Sequence, residues 1–348
     1  MIKYKVYGTS HSKVMGVRIY GLKEGYQIDI PSLCVELKHR QQGYGRSARQ
    51  SMEKNEIIVK RGIKKGKSDG GVLELFVKNG DGRFKEKPPI TALRSGHADF
   101  AGCVKFDMLD ARKAAELASG RNTLPHVLAG AVAKQILSEK GITFLSYASS
   151  IGGIGAKRQE YTKEEIENSL LRFPDSQKEA RVVALIDKAR QEGDTLGGVA
   201  RVECRGLPAG LGEIYNYEKR LDALIFYKLA AIPSVKGVEI GEAFELCSLS
   251  GAQAADYFKV EGGNISYATN NCGGITGGLS TGAPVVINLA VKPIPSVKGL
   301  LTYDIVTRQP CYSHFERSDT CVVGNIGVIA ENMLAMLILQ VIEREGRL

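Results

Sequence analysis

The chain has 348 residues, 43% of them hydrophobic and 24% charged, which is ordinary for a globular protein of one large domain or two medium ones. Tryptophan is absent and glycine reaches 40 residues, a composition that favours tight turns and close backbone packing over aromatic platforms that stack nucleic-acid bases. The net charge is +9, and the seven cysteines form no CxxC pair and have no histidine at ligand spacing, which argues against a metal site and predicts reduced, mostly buried thiols.

The first part of the chain predicts two pairs of strands. Segments 4–10 and 16–22 have strand-like composition and flank a glycine-bounded turn that carries His11. Segments 55–63 and 71–82 predict a second pair that ends in a turn.

Helical periodicity dominates the middle and the end of the chain. The stretch 109–141 has apolar residues three and four positions apart, with Pro125 in the first turn of its later helix and Gly141 at its end. The other predicted helices are 162–173, 176–193, 218–232 and 327–346, and the other predicted strands are 197–207 and 283–293. The last helix carries an apolar stripe that indicates a core position or a subunit contact. Because strands and helices intermix without a linker or repeat, residues 1–348 are predicted to form a single α+β domain.

Most of the net charge lies in residues 38–67, which hold ten Lys and Arg against Glu53 and Glu56. Three interpretations remain open: a solvated basic face, a nucleic-acid surface, or a few arginines that line a site for a small polyanion. Composition alone does not separate them.

Two of the five histidines, His11 and His97, follow small residues in turns, which leaves the imidazole open rather than packed in the core. Imidazole is the side chain best suited to proton transfer near neutral pH, and Arg94 stands three residues before His97, where it could hold an anion. Arg317 and Asp319, two positions apart, lie on one side of an extended chain. Taken singly, each feature is equally compatible with an ordinary surface turn or an exposed charge pair.

Taken together and in order, these segments resemble the chorismate synthase family over nearly the whole chain. The family's Gly-Glu-Ser-His-Gly motif corresponds to GTSHS at 8–12, its Arg-Pro-Gly-His-Ala-Asp to RSGHAD at 94–99, and its final Arg-His-Asp-Pro-Cys to RSDTC at 317–321. The further matches are HRQQGYGR (39–46), ELASGRNT (116–123), GGIGA (152–156), DTLGG (194–198), GLPAGLGE (206–213), VKGVEIG (235–241), TNNCGGITGGLSTGAP (269–284) and VKPIPS (291–296).

The resemblance implies a β-α-β sandwich, in which a helical layer lies between two antiparallel sheets, assembled as a homotetramer. It implies a lyase of the shikimate pathway that makes chorismate, the precursor of the aromatic amino acids. The reaction is the anti-1,4-elimination of phosphate and a ring proton from 5-enolpyruvylshikimate 3-phosphate. Reduced FMN is required without net redox change. The sequence leaves open whether NADPH reduces the flavin on this chain or an external flavin reductase does so, and the lack of an obvious extra domain favours the external route.

The resemblance also implies the site residues. His97 protonates the departing phosphate, His11 serves the reduced flavin as a proton donor, and Asp319 helps to take the ring proton through flavin N5. The substrate carries two carboxylates and a phosphate, groups that the guanidinium fork suits. The implied substrate-binding residues are Arg40, Arg46, Arg94 and Arg121. The implied flavin-binding residues are Ser119, Pro233, Ser234, Gly277, Lys292, Pro293, Ile294, Pro295, Ser296 and Arg317.

The chain departs from the family motifs at several positions. Thr9 replaces Glu, Ser12 replaces Gly, Leu117 replaces Arg, Asn122 replaces Glu, Ser318 replaces His and Thr320 replaces Pro. Losing a charged hydrogen bond costs roughly 1.5–3 kcal/mol, so Leu117 alone is expected to weaken anion binding. His314, four residues before Ser318, is a candidate to replace the missing imidazole. Two alternatives to a working enzyme follow: a relative with another anionic substrate, and a non-catalytic protein that binds anions or nucleic acid through residues 38–67.

The N-terminal segment MIKYKVYGTS has no long apolar core, and no apolar run reaches about 18 residues. Neither a signal peptide nor a membrane span is therefore predicted, and a cytoplasmic protein is expected.

Overall fold

The computed structural model describes residues 1–47, 56–79, 88–315 and 318–348. In chain order its first elements are β1 (Lys3–Tyr7), β2 (Val14–Tyr20), β3 (Glu24–Gln27), α1 (Ile30–Gln41), β4 (Ile57–Arg61), β5 (Ile63–Lys64), β6 (Lys67–Asp69), β7 (Leu73–Lys78), α2 (Asp99–Phe106), α3 (Ala111–Leu117) and, after a 3-10 turn at Gly120–Thr123, α4 (Leu124–Ser138). The middle elements are β8 (Thr143–Ile151), β9 (Ile154–Gly155), α5 (Lys163–Asn168), α6 (Ser176–Glu192), β10 (Gly198–Arg205) and, after a 3-10 turn at Tyr217–Lys219, α7 (Leu221–Ala230). The last are β11 (Val235–Ile240), α8 (Ala243–Leu246), α9 (Gly251–Ala254), β12 (Phe258–Glu261), β13 (Asn264–Tyr267), β14 (Ile275–Thr276), β15 (Leu279–Ser280), β16 (Val285–Val291), β17 (Leu301–Tyr303), β18 (Pro310–Tyr312) and α10 (Val323–Arg344).

The first sheet has four antiparallel strands in the order β1-β2-β7-β4. Alternate residues of its two central strands, among them Val17, Ile19, Leu73 and Leu75, are fully buried, as expected where one face of a sheet packs on a core. Both predicted strand pairs are present, and they lie in one sheet because β2 and β7 pair with each other.

The second sheet has five antiparallel strands in the order β11-β16-β10-β8-β9. The predicted strands 197–207 and 283–293 are β10 and β16, which are neighbours in its middle. Six of the seven residues of β16 are buried, since both faces of this strand are covered.

A helical layer lies between the two sheets and gives the predicted β-α-β sandwich. Helix α4 packs on β2 of the first sheet and on α10, and α10 packs on β8 and β10 of the second sheet. The two helices approach very closely at Gly130, where an added Cβ would lie 2.1 Å from the carbonyl oxygen of Asn332. The predicted fold class is confirmed.

Helix α10 is long and apolar enough to cross a membrane by length and composition, but 94% of its apolar window is buried inside the protein. It is a core helix, the first of the two positions that its apolar stripe indicated, and it begins at Val323 rather than at 327. Its buried Glu331 contacts the ammonium of Lys134 on α4 and accepts a hydrogen bond from Ser146 at 2.7 Å. Burial raises the pKa of Glu331, but the nearby cations and these hydrogen bonds hold that pKa below its usual range.

Two local predictions are wrong. The predicted helix 162–173 ends at Asn168, because Ser169 is extended (φ −79°, ψ 130°). The chain then turns at Arg172 (φ 52°), whose carbonyl accepts a hydrogen bond from the amide of Ala148 in β8. The cysteines are free but not mostly buried. Cys103, Cys204 and Cys321 are buried, Cys34, Cys272 and Cys311 are half-buried, and Cys247 is exposed.

Candidate active site

The His11 turn is held by a polar network that the sequence did not indicate. Glu116 of α3 lies with Oε2 3.7 Å from His11 Nδ1, and its Oε1 accepts a hydrogen bond of 2.5 Å from the Thr9 hydroxyl. The Ser10 hydroxyl lies 3.2 Å from the same ring nitrogen, and the Ser12 hydroxyl accepts a hydrogen bond from the Thr9 amide. The imidazole is therefore held at Nδ1, with its side chain 37% exposed.

Asn79 connects this turn to Arg121, one of the predicted anion-binding residues. Arg121 Nη2 donates to Asn79 Oδ1 at 2.9 Å, and Asn79 Nδ2 donates to the carbonyl of Ser10 at 2.7 Å. Ser119 caps the 3-10 turn by accepting from the Arg121 amide at 3.3 Å. Sequence reasoning missed Asn79 because an Asn directly after a strand is usually only a turn residue.

Arg40 is buried and supports the turn that carries Arg121. Its Nε donates to the Thr123 hydroxyl and its Nη2 to the Gly120 carbonyl, both at 3.1 Å. Its own carbonyl accepts from Asn325 Nδ2, at the start of α10. The N-terminal ends of α4 and α10 and the C-terminal end of α1 therefore meet at Arg40.

The His97 turn is built on a fully buried carboxylate. Residues Arg94–His97 form a tight turn closed by the His97 amide on the Arg94 carbonyl (3.2 Å), with Gly96 in the left-handed region at φ 76°. Asp99 Oδ1 lies 2.5 Å from His97 Nδ1 and accepts from Arg94 Nη2 at 2.9 Å. Asp99 Oδ2 accepts from Nε and the backbone amide of Arg94. Burial raises the pKa of Asp99, but the hydrogen bonds from His97 and Arg94 outweigh it and hold that pKa well below its usual range.

The predicted flavin segments 233–234 and 292–296 lie against this turn. The Lys292 amide donates to the Ser234 carbonyl at 2.9 Å, and its ammonium donates to the Gly96 carbonyl at 2.6 Å. Ser234 has φ 72°, and a residue other than glycine in this region often marks a functional site. Thr195 supports the second segment by donating to the Ile294 carbonyl at 2.6 Å. The ammonium of Lys292, which lies between the two segments and the His97 turn, suits a phosphate or carbonyl acceptor, so these residues fit a flavin mononucleotide.

The structure does not bring Gly277 to these segments within one chain. Gly277 lies in the turn between β14 and β15, where the Gly278 carbonyl accepts from the Leu221 amide at the start of α7. Ser234 follows the C-terminal end of α7, whose ten residues span about 15 Å. Gly277 and Ser234 therefore lie near opposite ends of this helix.

Asp319 lies in a third group, beside Arg46. Arg46 Nη1 lies 2.8 Å from Asp319 Oδ2, and the Ser47 amide donates to Oδ1 at 2.7 Å. Both charged side chains are largely covered, at 12% and 13% exposed. Arg317 lies outside the described residues. The Leu196 amide donates to the Thr320 carbonyl, so segment 195–196 joins the Asp319 group to the flavin segments.

The remaining sequence candidates lie at other places. His314 is exposed and follows the hairpin β17–β18, which packs beside 91–95 through the Leu93 amide on the Tyr303 carbonyl. The basic segment 38–67 is not one surface, because Arg40 is buried while Lys60 and Arg61 both pair with the buried Glu74 in the first sheet. Residues 48–55 of this segment lie outside the described part of the chain.

The residues expected from the sequence to form the site thus lie in three groups, around His11 with Arg121, around His97 with Arg94, and around Asp319 with Arg46. A sequence profile described as chorismate synthase matches residues 2–342. The chain belongs to the chorismate synthase family, whose members are lyases, and the resemblance seen in the sequence is confirmed.

Individual relatives agree with the profile. A chorismate synthase of Carboxydothermus hydrogenoformans is 37% identical over 357 residues, covering 98% of this chain and 93% of that protein. One of Caldanaerobacter subterraneus subsp. tengcongensis is 38% identical, covering 97% and 91%. A solved structure, the crystal structure of a chorismate synthase, superposes with a TM-score of 0.81 at 28% identity and covers 99% of this chain and 93% of that chain.

Proposed function

We propose that this chain makes chorismate by the anti-1,4-elimination of phosphate and a ring proton from 5-enolpyruvylshikimate 3-phosphate. The observation that carries the proposal is that His11, His97 and Asp319, at the positions of the family's proton-handling residues, each lie beside a polar or charged partner that fixes the side chain. The departures from the family motifs leave these three groups in place.

His97 is proposed to donate the proton to the departing phosphate, because its Nδ1 is held by Asp99 and its Nε2 remains for the ligand. His11 is proposed to act as proton donor towards the flavin, with Nδ1 beside Ser10 and Glu116. Asp319, held by Arg46 and the Ser47 amide, is proposed to help take up the ring proton.

The cations are proposed to bind the three acidic groups of the substrate. Arg94 and Arg46 also pair with the carboxylates of Asp99 and Asp319, which neutralise part of the positive charge that they offer to the substrate. Arg40 contributes mainly by supporting the Arg121 turn.

Reduced FMN is proposed as the cofactor, held by segments 233–234 and 292–296 and by Ser119. Bound reduced flavin supplies an electron-rich ring with a proton-accepting nitrogen and undergoes no net redox change. We further propose an external flavin reductase rather than NADPH as the reductant, a homotetramer as the assembly and the cytoplasm as the location.

The test is anaerobic release of phosphate from 5-enolpyruvylshikimate 3-phosphate by the purified protein with reduced FMN. Activity is expected, with losses of about 10²–10⁴-fold in His97→Ala and His11→Ala, as for removal of a general acid. A matched control is His39→Gln, because the His39 ring lies 4.0 Å from Glu167 and contacts none of the proposed catalytic residues. This variant should keep its activity. No phosphate release from the folded wild-type protein would contradict the proposal.

A second candidate is the same chemistry on another anionic substrate. Leu117, where the family has arginine, is 52% exposed on α3 beside Glu116, so one expected cation is missing near the His11 turn. Flavin titration with and without 5-enolpyruvylshikimate 3-phosphate separates the two candidate functions. The compound should tighten flavin binding only if it is the true substrate. Growth of a chorismate auxotroph that expresses the chain would count against the second candidate.

A further inference from the structure

Asp99 is the most heavily engaged carboxylate of the site. It is fully buried, and its two oxygens lie within hydrogen-bonding distance of His97 Nδ1, of Nε and Nη2 of Arg94, and of the Arg94 backbone amide. A buried carboxylate with this set of donors is ionised and fixed in orientation, which the lowered pKa of Asp99 supports.

An ionised carboxylate has only acceptors, so the His97 nitrogen that faces it must carry a hydrogen. His97 Nδ1 lies 2.5 Å from Asp99 Oδ1 and 3.2 Å from Arg94 Nη2, and Nη2 itself donates to Asp99 Oδ1 at 2.9 Å. The shorter contact to the carboxylate therefore assigns the Nδ1–H tautomer to the neutral ring. The opposite nitrogen, Nε2, is then the one that exchanges a proton with a ligand.

The same contacts give Arg94 a different task from the one predicted from the sequence. Three of its donors, Nε, Nη2 and the backbone amide, are directed to Asp99, and its side chain is 10% exposed. Arg94 thus holds the carboxylate in the orientation in which Oδ1 faces His97.

We propose that Asp99 is a positioning residue that fixes the tautomer and ring orientation of His97, and that Arg94 acts through Asp99 rather than as a direct ligand of the substrate phosphate. The proposal concerns this site whatever its substrate, although its catalytic consequence rests on the proposed function.

The first test needs neither flavin nor substrate. Long-range ¹H–¹⁵N spectra of the histidine ring nitrogens at about pH 8.5, where an ordinary histidine is neutral, report the tautomer directly. We expect His97 to be protonated at Nδ1 in the wild-type protein, with its signal identified by its loss in His97→Gln. A ring protonated mainly at Nε2 would overturn the proposal, and this readout is independent of the reaction that the enzyme performs.

Asp99→Asn tests the positioning role. The amide oxygen of the new side chain is needed by Arg94, so its NH₂ group faces His97 Nδ1 and favours the Nε2–H tautomer. We expect the tautomer to switch and kcat to fall about 10²-fold or more, while KM changes little. The control is Asp256→Asn, a carboxylate that accepts from Thr269 and the amides of Asn271 and Cys272 and should leave both readouts unchanged.

Arg94→Lys separates the two roles of the arginine. A positioning role predicts a lower kcat with KM within about threefold of the wild type, whereas a direct phosphate ligand predicts a KM raised tenfold or more at nearly constant kcat. The second result, or an unchanged His97 spectrum in folded Asp99→Asn, would contradict the proposal.

Discussion

At the scale of single residues, position 9 shows how this chain replaces a charged group by a neutral one. The Thr9 hydroxyl donates to Glu116, the same carboxylate that lies beside His11. The family motif has a glutamate at this position and an arginine at position 117, where the chain has the exposed Leu117. The loss of a carboxylate at position 9 and the loss of a cation at position 117 cancel each other in charge.

The pair can be tested by restoring the family residues. Thr9→Glu alone places a second carboxylate against Glu116, whose side chain is 18% exposed, and should lower the free energy of unfolding by on the order of 1–3 kcal/mol. Thr9→Glu with Leu117→Arg should recover at least half of that loss, because the guanidinium can pair with both carboxylates. Urea unfolding of the two single variants and the double variant measures the coupling. Strict additivity would show that the two positions are independent.

At the scale of elements, the contact between α4 and α10 decides how close the two sheets can lie. Gly130 is the point of closest approach, because an added Cβ would lie 2.1 Å from the Asn332 carbonyl. Alanine is favoured over glycine in a helix by about 1 kcal/mol, so only the packing accounts for glycine at this position.

Gly130→Ala is therefore expected to destabilise the protein, by about 1–3 kcal/mol net, since the helices must move apart to admit one methyl group. Gly251→Ala is the matched control: it lies in the short helix α9, and an added Cβ would contact nothing within 4 Å. Thermal unfolding should show a lower midpoint for the first variant and an equal or higher one for the second. Equal midpoints for Gly130→Ala and the wild-type protein would refute the packing argument.

At the scale of the whole molecule, stability in acid should depend on a half-buried histidine that joins the first sheet to the helices. His126 on α4 lies with Nδ1 2.9 Å from the hydroxyl of Tyr4 in β1, which also accepts from Lys228 on α7 at 2.8 Å. Burial, with a smaller contribution from the Lys228 cation, lowers the pKa of His126 to about 4.

The lowered pKa means that the unfolded chain binds more protons than the folded protein between about pH 6.5 and pH 4. Stability should therefore fall as the pH drops through this range, by up to about 3 kcal/mol from this histidine. His126→Gln keeps a polar partner for Tyr4 but cannot be protonated, so its free energy of unfolding should decline less steeply. Urea titrations at pH 7, 5.5 and 4.5 give the comparison, and parallel pH profiles would exclude a contribution from His126.

Much of the fold could be predicted, because the strands and long helices have clear periodicity and the ordered motifs indicated the β-α-β sandwich. The helix at 162–173 was overestimated since the partner of the Arg172 carbonyl, Ala148 in β8, is distant in the sequence. The site shows the same division. The His11 and His97 turns have local signals in the sequence. The roles of Glu116 and Asn79 depend instead on their contacts with His11 and Ser10, which are distant in the chain and which no local pattern reveals.

Asn325, in the first turn of α10, also donates to the carbonyls of Arg40 and Gln42, just before the segment that carries Arg46. The turns proposed to bind anions are thus tied to α10, which is buried over most of its length. Amide hydrogens at the end of α1 should then exchange with solvent almost as slowly as those of α10, although they border the proposed ligand site. Substitutions far inside the helix can therefore impair ligand binding without touching any group that contacts the ligand.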